Sequence, residues 1–139
     1  MSKVMFTSTA TAKGGREGHV KSDDGIIDLK LVDPAADGNN KGSNPEQLFA
    51  AGYAACYDGA LNLMASKQRK EIDSEITAEV SLMEDSEDKG VKIGVVLNVN
   101  IKGVSQEDAE KLANLAHDFC PYSKATRDNI NVNLKVKAV

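Results

Sequence analysis

Cys56 and Cys120 are the only thiols in a chain of 139 residues, and thiols are the side chains best suited to covalent redox work. The thiolate is the nucleophile, and an unperturbed cysteine with a pKa near 8.5 is only about 3% ionised at pH 7. A neighbouring guanidinium that lowers the pKa to roughly 6 raises that share to about 90%. Part of the gain is lost again, because nucleophilicity falls with pKa. A carboxylate beside the guanidinium would hold its planar fork by two hydrogen bonds, and a second cysteine would resolve a sulfenic acid into a disulfide. Such chemistry wants Cys, Arg and a carboxylate together. Arg16, in Gly14-Gly15-Arg16-Glu17-Gly18, and Glu46, in Asn44-Pro45-Glu46-Gln47, are the candidates for the last two.

Each candidate also has a plainer reading. Cys56 lies in Ala54-Ala55-Cys56-Tyr57, where a small buried core cysteine would be ordinary. Cys120, between Phe119 and Pro121, could be a packing residue at a helix end. Arg16 could be a solvated surface arginine, although its glycine flanks allow its side chain to be aimed. Glu46 falls in a first helical turn, where any helix favours a negative charge. His117 reads as a helix-surface residue, and Tyr57 and Asp58 have no assigned role. His19, Cys56, His117 and Cys120 lack the paired short spacings of a structural zinc site. Neither metal nor cofactor is expected.

Elements that would position these residues follow from pattern. Val4–Ala12 reads as a first strand, broken by Gly14-Gly15, and Arg16 opens a second through His19 and Val20. Asp23-Asp24-Gly25 signals a turn. Ile27, Leu29 and Leu31 alternate with Asp28, Lys30 and Val32 as in a half-buried strand, and Asp33–Ser43 reads as a connecting loop. Asn44 suits an N-cap, Pro45 the first helical position, and Gln47 lies three residues beyond the cap. The helix that follows, from Glu46 to about Lys70, carries Gly52 and Gly59, each costing roughly 1 kcal/mol relative to alanine. Two such residues predict a close approach by another backbone. Alternation at Ile76–Leu82 and Val91–Ile101 predicts a hairpin joined through Glu84–Gly90. Ser105 with Asp108 starts a second helix, with Ala109, Leu112, Ala116 and Phe119 inward, and Pro121 ends it. Ile130–Val136 is a last strand. The fold class is α+β: antiparallel strands around a long central helix, in one domain over residues 1–139.

Composition narrows the function classes. The net charge of −4 argues against a nucleic-acid binder, whose footprint would be a basic face. No cationic run suggests a membrane surface. The apolar stretch Leu48–Met64 is interrupted by Tyr, Cys, Asp and Asn, too polar to span a bilayer. The N-terminus lacks a secretory pattern, so a cytoplasmic location is expected, where a purely structural disulfide is unusual.

At this point the sequence resembles a known family. Gly42-Ser43-Asn44-Pro45-Glu46-Gln47-Leu48-Phe49-Ala50-Ala51-Gly52-Tyr53-Ala54-Ala55-Cys56 and Ala116-His117-Asp118-Phe119-Cys120-Pro121-Tyr122-Ser123-Lys124-Ala125 look like the two signatures of the organic hydroperoxide resistance (Ohr) family, within the OsmC/Ohr superfamily. Asn44–Phe49 and Phe119–Ser123 favour that branch over the osmotically inducible protein C branch, which shares the cysteine chemistry. The resemblance implies a thiol peroxidase acting on alkyl and fatty-acid hydroperoxides, reduced by a lipoyl-type dithiol, and working as an intertwined homodimer in organic-peroxide defence. It implies that Cys56 is the peroxidatic thiol, Cys120 the resolving thiol, Arg16 the activator of the thiolate, and Glu46 the residue that orients Arg16. A rival of another class is a non-enzymatic binding protein with inert cysteines. A peroxide-sensing regulator would need a DNA-reading helix, and neither helix has the basic face for one.

Spacing adds one more expectation. Ten residues of straight helix rise about 15 Å, a long reach for an arginine bonded to Glu46 and acting on Cys56 of the same chain. A second copy packed antiparallel would bring its own Glu46 end near this Cys56. The alternative is an Arg16 that swings in from its own chain without help from Glu46.

Overall fold

The computed structural model describes residues 2–36, 38 and 41–139, and these fall into two compact units, 1–48 and 49–139. In the first unit β1 (Ala10–Lys13), β2 (His19–Ser22) and β3 (Asp28–Lys30) form an antiparallel sheet in that order. The first strand is shorter than its alternation predicts. β2 offers partners only from Lys13↔His19 to Ala10↔Ser22, so Val4, Met5 and Phe6 lie outside the strand and are exposed. Arg16 opens no strand. It sits in a 3-10 turn, Gly15–Glu17. The Ile27–Val32 alternation also contracts: Ile27 and Leu29 are exposed, while Leu31 is buried and forms an isolated bridge to Ser43. Asp37, Asn39 and Asn40 of the expected connecting loop lie outside the described residues.

Helix α1 (Pro45–Lys67) starts where the cap signal places it. Asn44 Oδ1 accepts from the Gln47 N–H at 2.8 Å, the standard use of an Asn N-cap. The reciprocal bond takes another form, since Gln47 Oε1 accepts from Ser43 Oγ at 2.7 Å.

The second unit continues with β4 (Asp73–Asp85), β5 (Gly90–Lys102), α2 (Gln106–Phe119), α3 (Pro121–Thr126) and β6 (Val132–Ala138). β4 and β5 pair antiparallel from Asp73↔Lys102 to Asp85↔Gly90, so the hairpin runs further into the acidic stretch than alternation alone suggested. β6 pairs parallel to β5, starting at Val95↔Val132. A parallel neighbour needs a long crossover, which α2 and α3 supply. This departure from an antiparallel pattern therefore follows from two helices between the strands.

The core of this unit packs Tyr53, Tyr57, Leu61 and Met64 of α1 against Leu97, Val99 and Ile101 of β5 and Leu112 and Ala116 of α2. Each fully buried Leu, Ile or Val there stabilises the fold by about 1.5–3 kcal/mol. Ser105 Oγ accepts from the Asp108 N–H at 3.1 Å, as its spacing predicts. Leu112, Ala116 and Cys120 follow one another at four-residue spacing along the buried side of α2 and are buried. Phe119 was expected inward but is 44% exposed, because Cys120 takes the place that continues that row. The ammonium groups of Lys67 and Lys124 lie 5.8 and 6.0 Å from its ring centroid.

Candidate active site

The two cysteines meet. Cys56 is half-buried on α1 and Cys120 fully buried at the joint between α2 and α3. Their sulfurs are 3.7 Å apart and both thiols are free. The joint is built by Pro121, which drives the preceding residue out of the helical region. Cys120 accordingly has φ −57° and ψ 125°. Its N–H closes α2 on the Ala116 carbonyl at 2.8 Å, and its carbonyl accepts the first α3 bond from the Lys124 N–H at 2.9 Å. A disulfide needs about 2.05 Å between sulfurs, so the two thiols are in contact but not bonded.

Burial is the main influence on the Cys56 thiol and pushes its pKa up, while the Tyr122 N–H pulls it down. Cys120 Sγ is placed to donate to Cys56 Sγ, and Cys120 adds to the upward push on the Cys56 thiol.

Arg16 and Glu46 form the other pair, within the first unit. Nη1 donates to Oε2 at 3.0 Å and Nη2 to Oε1 at 2.7 Å, a bidentate fork. The Glu46 side chain is 12% exposed and that of Arg16 54%. The Arg16 hydrogen bond holds the Glu46 carboxyl below its ordinary value, against the opposing effect of burial. The glycines around Arg16 are required by the turn. Gly14 has φ +79°, and a Cβ on Gly18 would lie 1.8 Å from the Lys13 carbonyl oxygen.

Several residues around the thiols have jobs that sequence patterns did not reveal. Gly52 makes room for a side chain rather than a backbone: a Cβ there would lie 2.7 Å from Tyr122 Oη. The Tyr122 ring packs on Phe49 and Tyr53 at 6.0 and 5.7 Å between centroids. No neighbour lies within 4 Å of a Cβ built on Gly59. Tyr57 Oη donates to the Ala113 carbonyl at 2.7 Å and ties α1 to α2. Asp58 Oδ1 accepts from Ser74 Oγ at 2.5 Å and from Asn62 Nδ2 at 3.1 Å, tying α1 to β4. His117 is no surface residue. It is half-buried, with Nδ1 2.8 Å from the buried Ser123 Oγ. Among the described residues no group of His, Cys, Asp and Glu is placed to hold a metal, and no helix is long and apolar enough to cross a membrane.

Comparison with known proteins places this geometry. Residues 38–135 match the family described as OsmC-like protein. The organic hydroperoxide resistance proteins OhrB and OhrA of Bacillus subtilis are 57% and 50% identical, over 96% and 98% of this chain and 99% of each relative. The crystal structure of B. subtilis OhrB superposes with a TM-score of 0.94 at 56% identity, covering 96% of this chain and all of that one. An organic hydroperoxide resistance protein from Elizabethkingia anophelis superposes at 0.92 with 42% identity, covering 99% of this chain and all of that one.

Proposed function

Because this chain belongs to the organic hydroperoxide resistance family of OsmC-like proteins, we propose that it is a thiol peroxidase that reduces organic hydroperoxides, with Cys56 as the attacking and Cys120 as the resolving thiol. The observation that carries the reading is the 3.7 Å contact between two free thiols, one half-buried and one fully buried. A single reactive thiol would need no such neighbour, and an inert core would need neither.

The chemistry balances in three steps. The Cys56 thiolate attacks the terminal peroxide oxygen and the O–O bond breaks. The alkoxide takes a proton and leaves as an alcohol, and Cys56 becomes a sulfenic acid. Cys120 then attacks the Cys56 sulfur, its proton leaves with the hydroxyl as water, and a disulfide forms. A dithiol reductant of lipoyl type restores both thiols and is itself oxidised to a disulfide.

In this reading Arg16 stabilises the Cys56 thiolate and the developing alkoxide, and Glu46 orients Arg16. The Arg16–Glu46 fork supports those roles, because it fixes a guanidinium that would otherwise rotate freely. The chain acts as one catalytic domain in an intertwined homodimer. It works in the cytoplasm, where reductants keep free thiols such as these available.

Turnover of tert-butyl and linoleic hydroperoxides against hydrogen peroxide, each with dihydrolipoamide or thioredoxin, tests the reading. Organic peroxides with dihydrolipoamide should be consumed fastest. Cys56→Ser should abolish consumption, whereas Cys120→Ser should consume about one equivalent and stall as a sulfenic or over-oxidised acid. Equal residual activity in the two variants would overturn the assignment.

A further inference from the structure

A short row of polar side chains crosses the packed space beside the thiols. Ser123 Oγ lies 2.8 Å from His117 Nδ1 and 2.8 Å from Tyr53 Oη. Tyr53 Oη also lies 3.2 Å from Thr126 Oγ1, and Thr126 Oγ1 donates to the Ser123 carbonyl at 3.1 Å. Tyr53 and Ser123 are fully buried and Thr126 nearly so. The three helices α1, α2 and α3 each contribute.

Proton counting leaves this row two directions, and one of them uses every contact. A hydroxyl carries one hydrogen. With the hydrogen of Thr126 on the Ser123 carbonyl at 3.1 Å, Thr126 Oγ1 accepts from Tyr53. Tyr53 has then spent its one hydrogen, and Ser123 must donate to Tyr53. Ser123 Oγ is left to accept, and the donor is His117 Nδ1–H. The opposite direction, from Thr126 through Tyr53 and Ser123 to a bare His117 Nδ1, gives up the Thr126 bond to the Ser123 carbonyl, which then keeps only the Arg127 N–H at 3.0 Å; the direction that starts at His117 keeps every contact.

We propose that His117, as its Nδ1–H tautomer, is a positioning residue that starts a one-way chain of hydrogen bonds through Ser123, Tyr53 and Thr126 and so holds Cys120 in place for disulfide closure on Cys56. This deepens the peroxidase reading and rests on it. Placement makes the link. Tyr53 lies three residues before Cys56 on α1, and Ser123 three residues after Cys120, with His117 three residues before it. The His117–Ser123 bond thus closes a loop across Cys120, and the Ser123–Tyr53 bond fastens that loop one turn away from Cys56. The oxygen contact at 2.8 Å and the sulfur contact at 3.7 Å are two neighbouring ties between the same elements.

The charged groups around the ring fit a neutral donor. The Arg127 guanidinium donates to the His117 carbonyl at 2.7 Å. Burial and then Arg127 hold the imidazole below its ordinary pKa, with Asp118 opposing them. A protonated ring would still donate from Nδ1, so the chain keeps its direction through the histidine titration.

Two readouts test the proposal. Nitrogen-15 chemical shifts of the imidazole in the reduced full-length protein should report Nδ1 protonated and Nε2 bare at neutral pH; the reverse would overturn the chain. Stopped-flow mixing with one equivalent of tert-butyl hydroperoxide separates thiolate loss from disulfide closure, and dimedone traps the sulfenic acid between them. His117→Leu and Ser123→Ala should leave thiolate loss within about twofold and slow closure about tenfold, the scale on which small misplacements act. His117→Asn, whose amide N–H can stand where Nδ1–H does, should restore most of the closure rate. Unchanged closure in either folded variant, with Ser123→Ala serving if His117→Leu does not fold, would overturn the positioning role. Wild type that consumes no hydroperoxide would sink the peroxidase reading and the closure role with it, while the nitrogen shifts would still decide the direction of the chain.

Discussion

At Cys56 burial, helped by Cys120, outweighs the Tyr122 N–H, so the thiol lies above its ordinary pKa. A group in that position is protonated at neutral pH, and its reactivity should rise with pH into the alkaline range. The proposed activator, Arg16, is presented in a fixed orientation by Glu46. A guanidinium brought to the sulfur favours the charged form and moves the titration down. Arg16→Ala should therefore shift the thiolate absorbance titration near 240 nm to higher pH and slow peroxide attack at pH 7 by about an order of magnitude. Attack by the variant should recover as pH rises, because the thiolate then forms without help. An unchanged titration and rate would remove Arg16 from the site.

Among the elements, α1 is the one whose small residues carry positional information. Gly52 sits under Tyr122, whose Oη, Cζ and Cε2 would lie 2.7, 3.2 and 3.2 Å from an added Cβ. Phe49 and Tyr53 pack against the ring. Gly52→Ala gains up to about 1 kcal/mol of helix propensity but overpacks the ring at a cost of about 1–3 kcal/mol. Urea denaturation should show a net loss on the order of 1 kcal/mol. A gain in stability would mean that the ring gives way without cost.

For the whole molecule the prediction concerns assembly. Ten helical residues rise about 15 Å, the basis for expecting that the Arg16–Glu46 pair of one chain serves Cys56 of another. Gly59 has no neighbour within 4 Å of an added Cβ, which leaves space there for a second chain. Mixing inactive Cys56→Ser chains with inactive Glu46→Ala chains distinguishes the two arrangements. With shared sites, exchanged heterodimers should regain activity at one of two sites, up to about half the wild-type rate per heterodimer. No recovery after confirmed subunit exchange would mean that each chain completes its own site.

The sequence by itself determined whatever depends on neighbours in the chain. Asn44, Pro45 and Ser105 placed both long-helix starts, because caps are satisfied within one turn. Alternation at Ile76–Leu82 and Val91–Ile101 placed the hairpin, because the pleat repeats every two residues. The motifs around Cys56 and Cys120 identified the family. What lay beyond reach depended on distant partners. Val4–Thr9 alternates like a strand but has no partner in β2, and Phe119 loses its inward place to Cys120. Gly52 and Tyr122 are seventy residues apart in the chain, and so are Tyr53 and Ser123. Only the tertiary structure decided that β6 runs parallel to β5 and that His117 turns inward to Ser123. Hydrogen-bond partners joined across such separations leave no periodic trace in either segment, since each oxygen needs only one contact and not a repeating pattern.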